Sequence, residues 1–130
     1  MHLESDRAFQ TWAYSVSHGQ LLIRSAKSKE NPENVDVAFF GVTLMEVPSG
    51  FIGLSVRDAS PDEVENVHGR VRDSAAIRRV YALVSQGKRY LVAAADLRIS
   101  KNALEYRETD LDFLAFVKRG QRIVDEPQTA

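Results

Sequence analysis

The chain predicts a mainly β domain: a single antiparallel β-sandwich or half-open barrel of about seven strands with one or two short helices. Three observations lead there. A hairpin over residues 12–24 has two arms that agree on a register. A second stretch, 79–92, can form another hairpin with its own apolar pairs. Between them, short apolar runs alternate with clusters of Gly, Pro, Asn and Ser, the spacing of an all-β domain. A helix over 75–86 is the alternative, and would make the domain α+β.

In the first hairpin His18 and Gly19 serve as a two-residue turn, glycine supplying the positive φ such turns need. Tyr14 then opposes Ile23, Val16 opposes Leu21 and Trp12 opposes Ser25. Opposed side chains share a face, so Trp12, Tyr14, Val16, Leu21 and Ile23 are expected to be buried. Ala13, Leu22 and Arg24 fall on the more polar face. The segment 25–34, charged and carrying Pro32, reads as an exposed loop.

The run 35–47 opens with the alternation Val35, Val37, Phe39 and then turns apolar on both faces, as a covered central strand does. Gly41 inside it predicts a bulge or a close backbone approach. After a turn at Pro48, Ser49 and Gly50, a strand over 51–57 places Ile52, Leu54 and Val56 on one face. Ser60, Pro61 and Glu63 form a helix start: a cap, a proline at the first helical position and a capping-box acid. That helix is short, with Val64 and Val67 as its apolar face.

For 75–87 the spacing of Ile77, Val80, Tyr81 and Val84 fits a helix. The β-branched and aromatic content favours a strand over 79–85 turning at Gln86 and Gly87, with Leu83 opposite Tyr90 and Tyr81 opposite Val92. A long strand over 90–100 bends near 93–95. Lys101 and Asn102 make a turn, and a short strand occupies 103–107. Thr109 caps a helix over 110–119 with acids in its first turn and bases in its last. Residues 1–120 form the single globular domain, and 121–130 a flexible tail.

The pattern W-x-Y-x-V-S-H-G-x-L-L-x-R-S, with F-x-G-V at 39–42 and Y-L-V-A at 90–93, resembles small uncharacterised bacterial proteins across residues 9–111. The resemblance implies a bacterial source and carries no activity, cofactor or catalytic residue with it.

Composition restricts function. With 17 basic and 18 acidic residues, the chain lacks the basic excess from which nucleic-acid binders draw affinity. It has no cysteine, which removes disulfides, thiolate metal sites and cysteine nucleophiles, and fits a cytoplasmic protein. No run approaches the ~20 apolar residues of a membrane helix. His2, His18 and His68 are not spaced to share a metal ion, and no Gly-x-Ser-x-Gly or phosphate-cradling glycine loop occurs. No catalytic residue, metal or cofactor is therefore expected.

The expected function is that of a non-enzymatic interaction module whose partner is another protein or a second copy. Trp12, Tyr14, His18 and Arg24 are the candidate binding residues. A small-ligand-binding β domain is the alternative, and a small hydrolase using a loop histidine comes third. Arg78 and Arg79 would lie near Lys88 and Arg89 in the hairpin; a solvated face that discourages edge-to-edge strand pairing is expected there, a small basic patch for an acidic partner being the alternative.

Overall fold

Two long strand runs are each interrupted once, and those interruptions decide the architecture. The computed structural model describes residues 1–104 and the backbone of Arg122–Val124. The strands are β1 (Leu3–Ser15), β2 (Gln20–Ser25), β3 (Asn34–Phe40), β4 (Leu44–Met45), β5 (Gly50–Asp58), β6 (Arg79–Ser85), β7 (Lys88–Ala94), β8 (Asp96–Asn102) and β9 (Arg122–Val124). One helix, α1 (Pro61–Arg70), lies between β5 and β6. The sheet order is β4-β7-β6-β5-β1-β2-β3-β8-β9, and every pairing is antiparallel.

β7 runs into β8 through the single residue Ala95, and β3 runs into β4 through the bend at Gly41. Because β3 pairs with β8 while β4 pairs with β7, both ends of this order belong to one ribbon. The sheet thus rolls back on itself as a half-open barrel. Gly41 has a φ of +65°, and a Cβ there would stand 2.9 Å from the Ala95 Cβ. The two interruptions touch, which is the close approach that a glycine within an apolar strand foretold.

The inward face collects one continuous core: Leu3 and Phe9 of β1, Leu21 and Ile23 of β2, Val35, Val37 and Phe39 of β3, Phe51, Leu54 and Val56 of β5, Tyr81 and Leu83 of β6, Val92 and Ala94 of β7, and Ile99 of β8. Each such aliphatic or aromatic side chain contributes about 1.5–3 kcal/mol by leaving water. A second cluster lies outside the sheet, where α1 lays Val67 over Val80, Ala82, Leu91 and Ala93. The start of α1 is as expected. The Ser60 hydroxyl accepts from the Glu63 N–H, and the Glu63 carboxylate accepts from the Ser60 N–H at 2.9 Å.

The second hairpin forms with the expected pairs, Leu83 opposite Tyr90 and Tyr81 opposite Val92. Gln86 and Gly87 both have positive φ, +50° and +77°, the mirror-image turn whose twist suits adjoining strands. The helical alternative over 75–86 is replaced by one 3₁₀ turn, Ser74–Ala76, followed by β6. The sheet wins because both faces of β6 find apolar partners, the barrel core on one side and α1 on the other.

Other expectations need correction. The first hairpin pairs Tyr14 with Leu21 and Ser15 with Gln20, leaving a four-residue loop over 16–19, and a bulge at Trp12 shifts the register again before Thr11 meets Ile23. Gly19 still takes positive φ, but as the last loop residue, its carbonyl held by the Val42 N–H at 2.9 Å. In β5, Gly53 at φ +73° marks a second irregularity, so Phe51 points inward and Ile52, expected beside Leu54 and Val56, is 68% exposed. Lys101 and Asn102 are not a turn; they complete β8 against Asn34 and Val35. Arg79 opposes Ala94 and Lys88 opposes Ser85, so the expected basic pairs sit at opposite ends of their hairpin. Within the expected tail, Arg122–Val124 pairs with Ile99, Ser100 and Lys101, giving the outer edge of β8 a partner. The strand expected to end at 107 and the helix expected over 110–119 fall on residues outside those described.

Candidate interaction surface

The four candidate residues separate into two environments. Tyr14 and His18 sit at the tip of the β1–β2 hairpin and are exposed, as is Val16 between them, 82% accessible. The expectation that Tyr14 and Val16 are both buried fails: Val16 lies in the loop beyond the paired strands, whereas Tyr14, opposite the core residue Leu21, is 38% accessible near the end of the ladder. The loop is nonetheless anchored to the barrel through Gly19 and Val42.

Trp12 and Arg24 lie on the outward face of the sheet. The bulge at Trp12 carries its ring away from the core, and the Arg24 guanidinium lies 5.3 Å from the ring centroid, within cation–π range. Arg24 is not a surface cation: it is 1% exposed, and Asp36 opposite it on β3 is fully buried. Arg24 Nε donates to Asp36 Oδ1 at 2.7 Å and Nη2 to Oδ2 at 2.9 Å, a bidentate pair. Asn102 Nδ2 donates to Asp36 Oδ2 at 2.7 Å, and Asn34 Nδ2 donates both to Asn102 Oδ1 at 2.8 Å and to the Leu104 carbonyl at 3.0 Å. The chain of partners satisfies charges that would be costly to bury alone.

Sequence reasoning missed Asp36, Asn34 and Asn102. The signal was a carboxylate inside the apolar run Val35–Asp36–Val37 and a cation inside the facing strand. Once β2 and β3 are neighbours, those residues must meet.

Other charged groups also serve the fold. Arg7 reaches across to the loop over 26–33, its Nε donating to Ser25 Oγ at 2.9 Å and its Nη2 to the Glu33 carbonyl at 3.0 Å. Arg89 grips Glu63 through two hydrogen bonds of 2.9 and 2.8 Å, and these, with the Ser60 N–H, hold the Glu63 carboxyl down at about 2. Arg70 at the end of α1 pairs with Glu46. His2 donates from Nε2 to Asp58 Oδ1 at 2.8 Å, and this bond pulls the Asp58 carboxyl below its ordinary range. Asp58 is 72% exposed, so the His–Asp pair faces solvent. His68 is exposed on α1.

Among the described residues, no group of three or more His, Asp or Glu is arranged to hold a metal ion. No described helix is long and apolar enough to cross a membrane. The chain matches no protein-family model, no curated protein and no solved structure.

Proposed function

We propose that the protein is a non-enzymatic interaction module of the bacterial cytoplasm, binding another protein or a second copy of itself through the tip of the β1–β2 hairpin. The observation that supports this reading is the exposure of Val16 on a loop the barrel holds in place, with Tyr14 accessible at the adjoining end of β1. A β-branched side chain on an anchored loop beside an aromatic at the strand end offers apolar contact at low ordering cost. His18 beside them supplies a polar contact. Arg24, occupied within the fold, is withdrawn from the contact set, and Trp12 contributes by stacking on it.

The ligand-binding and hydrolase alternatives draw less support. Leu21, Ile23, Phe39 and Leu83 meet in one packed interior cluster where a barrel ligand would sit. The His2–Asp58 pair lies open to water, whereas an oriented base in a cleft would have its carboxylate enclosed. Near-balanced charge argues against nucleic acid as the partner.

The test is a photo-crosslinking residue at position 16 combined with the double variant Tyr14→Ser, Val16→Ser, followed by sedimentation velocity of each protein. The reading expects a discrete crosslinked species or a self-associating wild type. The double variant should lose that association while its melting temperature stays within the range of a surface change. Association that survives the double variant, or activity that requires His18 or His68, would overturn it.

A further inference from the structure

Three strips of the barrel's outer surface differ in what lies on them. α1 covers the strip formed by β6 and β7. The strip formed by β1 and β5 is open, with Ala8 and the opposed Ile52 both exposed. The strip formed by β2, β3 and β8 is closed. Leu22, Arg24, Asp36, Ala38 and Ser100 alternate with core residues and so face outward, yet each is at most 1% exposed. No helix or strand among the described residues lies on this strip. Trp12 shields Arg24, and the Lys27 N–H closes the end at Asn34 by donating to Asn34 Oδ1 at 2.7 Å. Ala38 lies at the far end of β3 from Asn34. An Arg–Asp pair on the outer face of a sheet ordinarily stays hydrated, so its burial here requires a cover.

We propose that the strip formed by β2, β3 and β8 is a docking face for the chain's own residues 105–121, whose apolar side chains lie against Leu22 and Ala38 and keep water from the Arg24–Asp36 pair. The chain leaves β8 directly onto this strip. The Leu104 N–H donates to Asn102 Oδ1 at 3.2 Å, and the Leu104 carbonyl accepts from Asn34 Nδ2 at 3.0 Å. Asn34 and Asn102 are opposed and share the outward side with Asp36. The chain returns at Arg122, opposite Lys101 on the outer edge of β8. Between these points the sequence carries Leu111, Phe113, Leu114, Phe116 and Val117. At about 3.4 Å per extended residue, that length outreaches three strands set about 4.8 Å apart. A second copy or a foreign protein would leave the strip exposed in the single chain, and it is closed there. The docking is independent of the hairpin tip, which lies beyond this strip.

The experiment is paramagnetic NMR on the full chain. The protein has no cysteine, so Asp112→Cys takes a single nitroxide at a polar position of the segment. Loss of amide signal should be largest at Leu22, Ala38 and Ser100, and smallest at Ala8 and Ile52 on the open strip. Arg119→Cys repeats the reading from a second polar position, so a label that disturbs the first does not decide the outcome. Mixed with an isotope-labelled copy that carries no nitroxide, the spin-labelled chain should leave the copy's amides unchanged. Loss centred on α1 or on the β1–β5 strip from both positions, loss without preference for any strip, or loss that passes to the second copy would overturn the docking.

Discussion

Replacing Asp36 with Ala should be among the most damaging single changes in this fold. Arg24 and Asp36 are 1% and 0% exposed and joined by two hydrogen bonds. Two unit charges about 4 Å apart at an effective dielectric of about 20 attract by about 4 kcal/mol, while each ion costs several kcal/mol to desolvate. The intact pair is thus close to break-even. Removing one partner is not, because the guanidinium stays buried without its carboxylate, and Asn102 loses its acceptor as well. The expected loss is about 3–5 kcal/mol, a large share of the roughly 5–15 kcal/mol that holds a domain folded. For a chain of this length it lowers the melting temperature by about 10–20 °C. The assay is urea unfolding followed by Trp12, the one tryptophan of the chain, whose ring senses Arg24 directly. A double variant, Arg24→Met with Asp36→Leu, should recover most of the loss, since apolar side chains of similar size replace buried pairs at little cost. A single Asp36→Ala that costs under about 1 kcal/mol, or a double variant no better than that single, would refute the reasoning.

Three further outcomes follow from the geometry. Gly41→Ala should cost more than Gly87→Ala in the same unfolding assay: both take positive φ, about 1–2 kcal/mol for a side chain, but only at Gly41 does the new Cβ meet an atom, 2.9 Å away. Phe51→Ala should cost about 3–5 kcal/mol and Ile52→Ser within about 0.5; the reverse ranking would restore the unbroken alternation across Gly53. The Glu63 carboxyl, held at about 2 by Arg89 and the Ser60 N–H, contributes stability that is complete above its ordinary value of 4.5 and lost as pH falls toward 2. Glu63→Gln should shrink the acid-side decline in melting temperature, and Ser60→Ala should cost α1 about 1 kcal/mol at neutral pH.

Local chemistry by itself determined a good part of this protein. The α1 start needed only Ser60, Pro61 and Glu63, because a cap is satisfied by atoms within one helical turn. The β6–β7 hairpin needed only Gln86, Gly87 and apolar residues at matched distances on either side. Gly41 announced a close approach, though not that Ala95 would be the neighbour. Balanced charge and the absence of cysteine narrowed the functional classes without naming one. The tertiary structure decided the rest where a residue's environment comes from far along the chain. β1 carries an extra residue at Trp12 and again at Asp6 and Arg7, which together face Gly53 of β5; the first reverses which side chains face inward along β1 and the second along β5, and period-two alternation cannot foresee them. Val16 reads as core when the turn is placed at His18 and Gly19, and is exposed because pairing stops at Ser15 and Gln20 and leaves it in the loop. Arg24 reads as a surface cation and is buried beside Asp36 of β3, whose carboxylate is held in turn by Asn102 of β8, itself bonded by Asn34. Pairing order is a long-range property, set by how the interrupted ribbon at Gly41 and Ala95 lets the sheet close on its own core.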